Sequence, residues 1–207
     1  YVAKLRETPL AQLSEEDRLA YAGKHMAAHD PLVYDFDVQW FGSTKAAKAF
    51  HQVLHDKPAL FDQALSHIPL EGDVEKSHFD AFVADYRLAF DEIALTAPLY
   101  PATRLLAMRR PDQFVVITSS TQSELCQGLE YKLSGTSDFS GYWSSVIHNI
   151  RQMHWWRCDQ PEQEDEVFYW QHRAILLDLF LFADKATGEK SNYLKLLNKP
   201  KRSSTAK

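Results

Sequence analysis

Three ionisable side chains near the carboxyl end of this 207-residue sequence are the first candidates for catalysis, and all lie in EDEVFYWQHRAILLDLFLF. If this segment is one helix, Glu166, Trp170 and Arg173 stand at i, i+4 and i+7 and share one face. Asp178 follows within the apolar run ILLDLFLF, where an unpaired carboxylate is costly to bury. Glu166 and Asp178 could act as acid and base or hold a metal ion, with Arg173 beside them.

The same side chains have a structural interpretation, which the pattern favours. Arg104 lies in the apolar string ATRLLAM, and a buried guanidinium needs an acidic partner. We therefore expect Arg104, Glu166, Arg173 and Asp178 to form a buried network. The Asp/Glu-x-Lys spacing common in nucleases is not evident near these acids, so a nuclease or base-processing enzyme is the alternative hypothesis.

Basic and aromatic side chains between residues 101 and 157 are typical of a nucleic-acid surface. Indoles stack on bases, and arginines neutralise phosphates. Two purely structural interpretations stay open. Arg109 and Arg110 could stabilise the carbonyl end of their helix as cations in its last turn, and the adjacent tryptophans of HWWR could close the core. We expect one indole of the HWWR segment to be buried and the other partly exposed. The candidate nucleic-acid ligands are Arg109, Arg110, Lys132, Arg151, Trp155, Trp156 and Arg157.

The distribution of charge leaves both DNA or RNA and a protein open as partners. The net charge is −5, and residues 1–100 carry 9 basic and 16 acidic side chains, against 14 and 12 in residues 101–207. A nucleic acid would therefore contact a local patch rather than the whole surface. The alternative is an acidic protein-binding adaptor or DNA mimic, whose face would contain Asp73, Glu75, Asp80, Asp85, Asp91 and Glu92.

Metal and cofactor sites have little support in the sequence. His25 and His29, and again His51 and His55, have the i, i+4 spacing of helical metal ligands, but neither pair has the glutamate of HExxH. The two cysteines form no CxxC, and the seven glycines form no phosphate-binding loop. We predict no metal site and no cofactor.

Apolar spacing predicts a mainly α-helical fold in a single domain of residues 1–198, followed by a basic, disordered tail over 199–207. Alternation in VYDFDVQWF predicts a small two-stranded β element near residues 33–41. The last helix is the most apolar, so we expect it to be buried on most of its circumference. Helices are predicted to begin at Ser14, at Ser43 or Thr44, at Pro58, at Asp73 or Ser77, at Pro101, within TSSTQSELCQGL, within GYWSSVIHNIRQMHWW and near residue 162.

The sequence contains no recognisable targeting signal. No apolar run reaches the length of a membrane span, and the string YVAKLRETPLAQL lacks the apolar core of a signal peptide. Isolated cysteines fit a reducing compartment, so we predict a cytoplasmic protein without membrane contact. Because the chain does not begin with Met, we expect that residues before Tyr1 are missing from view, and the sequence leaves open whether they form a further domain.

Four strings in order, ATRLLAMRRPDQFVVI, YWSSVIHNI, HWW and EVFYWQHRAILLDLFLF, resemble a pattern of uncharacterised bacterial proteins: ATRLLAxxRPDxF, YWxxxI, WW and ExxxWxxRxAxLD. The resemblance covers roughly residues 68–183. It implies a bacterial protein from an anti-phage defence or mobile-element system, acting as a nucleic-acid-associated or partner-binding module. This chain has ITSSTQSEL where the pattern has a DSxN turn, so we expect no role that depends on that acid or amide.

Overall fold

The computed structural model describes residues 6–23, 41, 44, 47–119 and 121–178. The chain is mainly helical, as predicted, and none of the residues in these ranges forms a β-strand. Apart from Phe41, the segment predicted to be a small β element lies outside them, and so does the tail over 199–207. The division into one domain and a tail therefore stays a prediction.

The first helix, α1, spans Glu15–Tyr21 and begins where the sequence indicates. The hydroxyl of Ser14 accepts a hydrogen bond from the Asp17 amide at 3.1 Å, which is the geometry of an N-cap. Helix α2 spans Lys48–Asp56, so the predicted start at Ser43 or Thr44 is wrong. Thr44 instead donates its hydroxyl to the carbonyl of Ala22 at 2.8 Å, which ties the approach to α2 onto the end of α1.

Helices α3, Pro58–Ser66, and α4, Lys76–Asp91, form an antiparallel hairpin. Pro58 starts α3 as predicted, because a proline at the first helical position leaves no hydrogen bond unmade. Neither Asp73 nor Ser77 caps α4. Glu75 occupies that position, and its amide donates to Nδ1 of His78 at 3.2 Å, so the cap closes as a reciprocal box.

Aromatic rings join this hairpin to α2. The Phe61 ring stacks on Phe50 at 5.2 Å and on Tyr86 at 5.4 Å, and Tyr86 stacks on Phe82 at 5.5 Å between ring centroids. Offset stacking of this kind adds to the free energy gained by burying the rings. The helical spacing of five apolar residues in the sequence predicts one buried face on α4, and all five are buried: Phe79, Phe82, Val83, Tyr86 and Phe90.

Helix α5, Leu99–Arg109, is buried on its whole circumference from Pro101 to Met108. The run over 114–117 that follows it is also buried, yet it forms no regular secondary structure. Its backbone is satisfied by side chains instead: the Ile117 amide donates to the Thr103 hydroxyl at 3.1 Å, and Tyr142 donates to the Val115 carbonyl at 2.7 Å.

The predicted continuous helices of the carboxyl half are broken at two points. After α6, Gln122–Gly128, an irregular helix α7 comprises Phe139–Gly141, a π-helical segment Tyr142–Ile147 and His148–Gln152. Met153 is extended and separates α7 from the short helix α8, His154–Arg157. Helix α9 is Glu164–Gln171, and a turn at His172 separates it from helical residues 173–178, here α10.

The prediction that the last helix is buried on most of its circumference is wrong for α9, which has no buried residue. Five carboxylates between residues 159 and 166 keep its amino end in solvent. Burial resumes only in α10, at Ala174, Ile175 and Asp178. The apolar pattern of the sequence also predicts that six residues are buried together: Phe82, Leu105, Trp170, Ile175, Leu176 and Phe180. Of these, Phe82, Leu105 and Ile175 are buried, Trp170 and Leu176 are partly exposed, and Phe180 lies outside the described residues.

Candidate functional site

Two of the predicted phosphate-binding arginines, Arg109 and Arg110, hold the loop over residues 68–74. Arg109 donates to the carbonyls of Ile68 and Arg6, both at 3.2 Å. Arg110 donates to the carbonyl of Pro69 at 2.8 Å and to that of Gly72 at 2.6 Å. These donors satisfy backbone oxygens that have no helical partner, so both side chains fasten α5 to the loop.

Arg110 also forms a bidentate ion pair with Asp112. Its Nε and Nη2 atoms lie 2.8 Å from Oδ1 and Oδ2 of the carboxylate, and Arg110 is only 4% exposed. Burial alone would raise the pKa of Asp112, but hydrogen bonds from Arg110 and Gln113 lower it below its ordinary value. The positive charge of Arg110 is therefore largely neutralised by Asp112.

Arg151 reaches the same loop from α7. Its Nη1 donates to the Val74 carbonyl at 3.0 Å and its Nη2 to Oε1 of Gln113 at 2.9 Å. The guanidinium carbon lies 5.0 Å from the ring centroid of Trp143, which is a cation–π contact. Burial lowers the pKa of Arg151, but an arginine remains charged at neutral pH.

The HWWR segment forms α8, and its two indoles have different environments. Trp155 is 37% exposed, whereas Trp156 is partly buried against the core, and their rings meet edge to face at 5.7 Å. The prediction of one buried and one partly exposed indole is therefore wrong: neither is buried, and the inner one, Trp156, is only partly so. Arg157 is exposed and donates its Nε to the Arg151 carbonyl at 3.3 Å.

Arg173 lies between two indole rings. Its guanidinium carbon is 4.1 Å from the centroid of Trp170 and 4.6 Å from that of Trp156. Its Nη1 donates to the Trp170 carbonyl at 2.7 Å, and the Trp170 indole donates to the Cys158 carbonyl at 3.1 Å. These contacts connect α8, α9 and α10, and burial lowers the pKa of Arg173.

The expected network of Arg104, Glu166, Arg173 and Asp178 is wrong for Glu166, which is exposed in the first turn of α9. The turn at His172 interrupts the helical phase, so the i, i+7 relation to Arg173 is lost. Arg104 is fully buried and donates its Nε to the Tyr21 carbonyl. Within the described ranges, no ion pair or hydrogen bond joins Glu166, Arg173 and Asp178, the three candidate catalytic residues.

Asp178 is the one of these three that is buried, at 5% exposure. Its Oδ1 accepts a hydrogen bond from the hydroxyl of Thr121, which precedes α6. Burial raises the pKa of Asp178 to about 6, against the smaller lowering effect of the Thr121 hydroxyl. A carboxyl group with this pKa titrates near neutral pH, which is a property shared by catalytic acids and by buried structural acids.

Lys132 lines a depression of about 610 Å³ beside α6. The buried thiol of Cys126 belongs to its lining. Its lining residues are Ser119, Gln122, Ser123, Cys126, Gln127, Glu130, Tyr131 and Lys132. None of these lining residues, apart from Lys132 itself, is a predicted nucleic-acid ligand.

The histidines of α2 have protein partners. Nε2 of His51 lies 2.9 Å from the Thr44 carbonyl, and the exposed His55 lies 2.8 Å from a carboxylate oxygen of Asp56. In the part of the chain that the structure describes, no three His, Cys, Asp or Glu side chains are grouped as metal ligands. His25 and His29 lie outside that part.

A second candidate site lies between α3 and α4, in a depression of about 490 Å³ that we call the acidic groove. Three of the acids proposed from the sequence, Asp85, Asp91 and Glu92, line it together with Leu60, Gln63 and Leu88. Leu88 is 56% exposed, the second highest exposure among the large apolar side chains described. Sequence reasoning missed Leu88; its signal was a leucine on the polar side of the amphipathic helix α4.

The remaining acids of the predicted face are exposed, but the lining of the groove does not include them: Asp73, Glu75 and Asp80. Asp80 is paired with Lys76 on the same helix. Of the six acidic residues predicted from the sequence, three therefore line the acidic groove and three lie outside it.

Comparison with known proteins matches this chain to no family model, no curated protein and no solved structure. The proposed kinship with bacterial defence proteins stays a prediction from sequence strings. No helix in the described ranges is both long enough and apolar enough to cross a membrane.

Proposed function

We propose that this protein is a partner-binding module whose acidic groove binds a basic, amphipathic helical segment of another protein. The observation that carries the proposal is an exposed leucine, Leu88, in a groove that also contains Asp85, Asp91 and Glu92. An apolar floor with an acidic rim is complementary to a helix with an apolar stripe and flanking lysines or arginines.

The energetics of the groove favour such a ligand. Fully burying an exposed leucine contributes about 1.5–3 kcal/mol, and the part of Leu88 that is exposed can supply a fraction of this. Glu92 is paired with the exposed Lys57, and Oδ2 of Asp85 lies 2.8 Å from Nε2 of His67. Because an exposed pair such as Lys57–Glu92 is worth about 0–1 kcal/mol, an incoming cation can replace Lys57 at little cost, whereas the pair of Asp85 with His67 is partly buried.

The charges around the arginines that the sequence predicts to bind nucleic acid argue for a protein partner over DNA or RNA. Between residues 151 and 178 there are three arginines and six carboxylates, and phosphate backbones are repelled by such an excess. Arg109, Arg110 and Arg151 use terminal guanidinium donors for carbonyl oxygens of the protein. A nucleic-acid surface built on these three would first have to release the loop over residues 68–74.

The biological setting of this proposal rests on the sequence strings. On that basis we place the module in the cytoplasm of a bacterium, within an anti-phage defence or mobile-element system. The free thiols of Cys126 and Cys158 suit a reducing compartment. A basic protein of the same system would be the partner.

A peptide titration tests the proposal. A fluorescein-labelled amphipathic Lys/Leu helix should bind the full chain, with an affinity that falls as salt is raised. Leu88→Ser should weaken binding about ten-fold, as expected from losing one apolar contact. Leu95→Ser is the matched control, since Leu95 is 46% exposed but does not line the groove.

A second pair of variants tests the contribution of charge to peptide binding. Asp91→Asn should weaken peptide binding, whereas Asp80→Asn, which removes an exposed acid of the same helix outside the groove, should not. Equal effects of the two variants would reduce the interaction to general charge attraction and contradict the groove. Binding of duplex or single-stranded DNA, with no binding of the peptide, would favour the nucleic-acid hypothesis.

A further inference from the structure

We propose that the acidic groove recognises its partner by the spacing of two side chains on the partner helix. An apolar side chain packs on Leu88, and a cationic side chain one helical turn away lies at the end of the groove formed by Asp91 and Glu92. The opposite end, at Asp85, takes no cation of the partner. This inference rests on the proposed function and adds the sequence pattern that the partner must carry.

Leu88 lies between two acidic ends of the groove. Asp85 precedes it on α4 by three residues, and Asp91 and Glu92 follow it by three and four. Glu92 directly follows α4 and keeps helical backbone angles, so helical geometry applies to it as well. At about 1.5 Å of rise per residue, each acidic end is about 4.5–6 Å from Leu88 along the axis. This is the rise between i, i+3 and i, i+4 side chains of a ligand helix.

Asp91 and Glu92 lie on opposite sides of Leu88 when α4 is viewed along its axis. A helix turns by about 100° per residue, so Asp91 is about 60° to one side of Leu88 and Glu92 about 40° to the other. Both carboxylates also line the depression that contains the exposed Leu88. A cation one turn beyond the side chain on Leu88 therefore has a carboxylate on either side.

The Asp85 end of the groove is already supplied with hydrogen-bond donors. Oδ2 of Asp85 accepts from Nε2 of Gln63 at 3.1 Å and lies 2.8 Å from Nε2 of His67. The Asp85 side chain is only 18% exposed. A partner cation would have to compete with both groups at a carboxylate that is largely covered, so this end contributes little to the recognition of charge.

The Asp91 carboxylate, in contrast, is exposed and forms no hydrogen bond or ion pair with the residues that the structure describes. Arg87 stands four residues earlier on α4 and could neutralise it, but the guanidinium carbon of Arg87 lies over the ring of Phe139, 5.2 Å from its centroid. The carbonyl end of α4 adds partial negative charge at the same place. A cation of the partner therefore gains most at this end.

Glu92 has a competing cation that a partner can displace. Its carboxylate pairs with Nζ of Lys57, and the two side chains are 47% and 48% exposed. Exposed pairs of this kind are weak, so a cation held between Asp91 and Glu92 can replace Lys57. Removing Lys57 should therefore strengthen the binding of a correctly spaced partner, which is a gain that damage to the fold would not produce.

Two labelled helical peptides of identical composition test the spacing on the full chain. Each has a stripe of leucines, a single arginine and glutamine at the other polar positions. In the spaced isomer the arginine follows the central leucine by four residues, and in the displaced isomer it follows by two, on the opposite face. The spaced isomer should bind about two- to five-fold more tightly, the gain expected from one exposed ion pair.

A second arginine tests the assignment of the Asp85 end. Placed four residues before the central leucine of the spaced isomer, it should strengthen binding by no more than about two-fold, because it only allows the peptide to bind in either direction. A larger gain would refute the statement that Asp85 takes no cation.

Three variants locate the effect of the spacing. Asp91→Asn should abolish the advantage of the spaced isomer, and Lys57→Gln should increase it about two-fold. Asp80→Asn is the matched control outside the groove and should leave the advantage unchanged. Equal binding of the two isomers to the wild type, or an advantage that survives Asp91→Asn, refutes the spacing. If the Lys/Leu helix still binds in that case, only the spacing is wrong; if no peptide binds, the proposed function fails with it.

Discussion

Replacing Asp178 with asparagine should stabilise the protein at neutral pH. Asp178 is 5% exposed, and its described hydrogen-bond partner is the neutral hydroxyl of Thr121. Burial raises its pKa from 3.8 to about 6, so at neutral pH the folded protein holds a carboxylate in an unfavourable environment. Asparagine keeps an oxygen that can accept from Thr121 and removes the charge.

The size of the effect follows from proton linkage. A pKa raised from 3.8 to about 6 corresponds to about 3 kcal/mol, at about 1.4 kcal/mol for each tenfold change in proton affinity. Because the folded state binds the proton more tightly, this contribution is fully present below the unfolded pKa and is lost as pH rises towards about 6. Above that pH the wild type should lack it, and Asp178→Asn should be up to about 3 kcal/mol more stable.

Urea unfolding of wild type and Asp178→Asn, at one pH well above 6 and one near 4, measures this difference. The variant should be the more stable protein at the higher pH, and the two should converge at the lower pH. A variant that is less stable than wild type at the higher pH would refute the reasoning. It would show that the carboxylate is held by a cation, as the expected pairing of Asp178 with Arg104 requires.

Three further outcomes follow from the packing. Asp112→Asn should lower the unfolding free energy by about 3–5 kcal/mol, because it leaves the buried Arg110 without its carboxylate, and urea unfolding would measure the loss. Phe82→Ala should cost about 3–5 kcal/mol by opening a cavity in the aromatic core, seen as a lower thermal midpoint. Trp170→Leu should cost about 0.5–2 kcal/mol beyond its lost area by removing one face of the Arg173 sandwich. A double-mutant cycle with Arg173→Met isolates that term.

Local patterns predicted several helices correctly because the relevant physics acts over a few residues. The spacing of Phe79, Phe82, Val83, Tyr86 and Phe90 is enough to define the buried face of α4. Pro58 starts α3 for a reason that involves only its own missing amide hydrogen.

The candidate sites were predicted only in part, because their members come from separate elements. Asp85, Asp91 and Glu92 were named from their charge, but the groove exists because α3 packs beside α4 and leaves Leu88 uncovered. Glu166 and Arg173 were assigned to one helical face, and the turn at His172 separates them. The position of this turn depends on how α10 packs against the core, and helical periodicity in the sequence does not predict that packing.

The sequence by itself determined that the chain is mainly helical and which side of α4 is buried, because helical periodicity and burial of apolar surface act on neighbouring residues. Only the tertiary structure decided what the candidate arginines do: Arg109, Arg110 and Arg151 donate to backbone oxygens, some of them 41 and 77 residues away in sequence. An arginine that binds a phosphate and one that binds a carbonyl have the same local sequence, and the partner is chosen by which unsatisfied acceptor folding brings within reach.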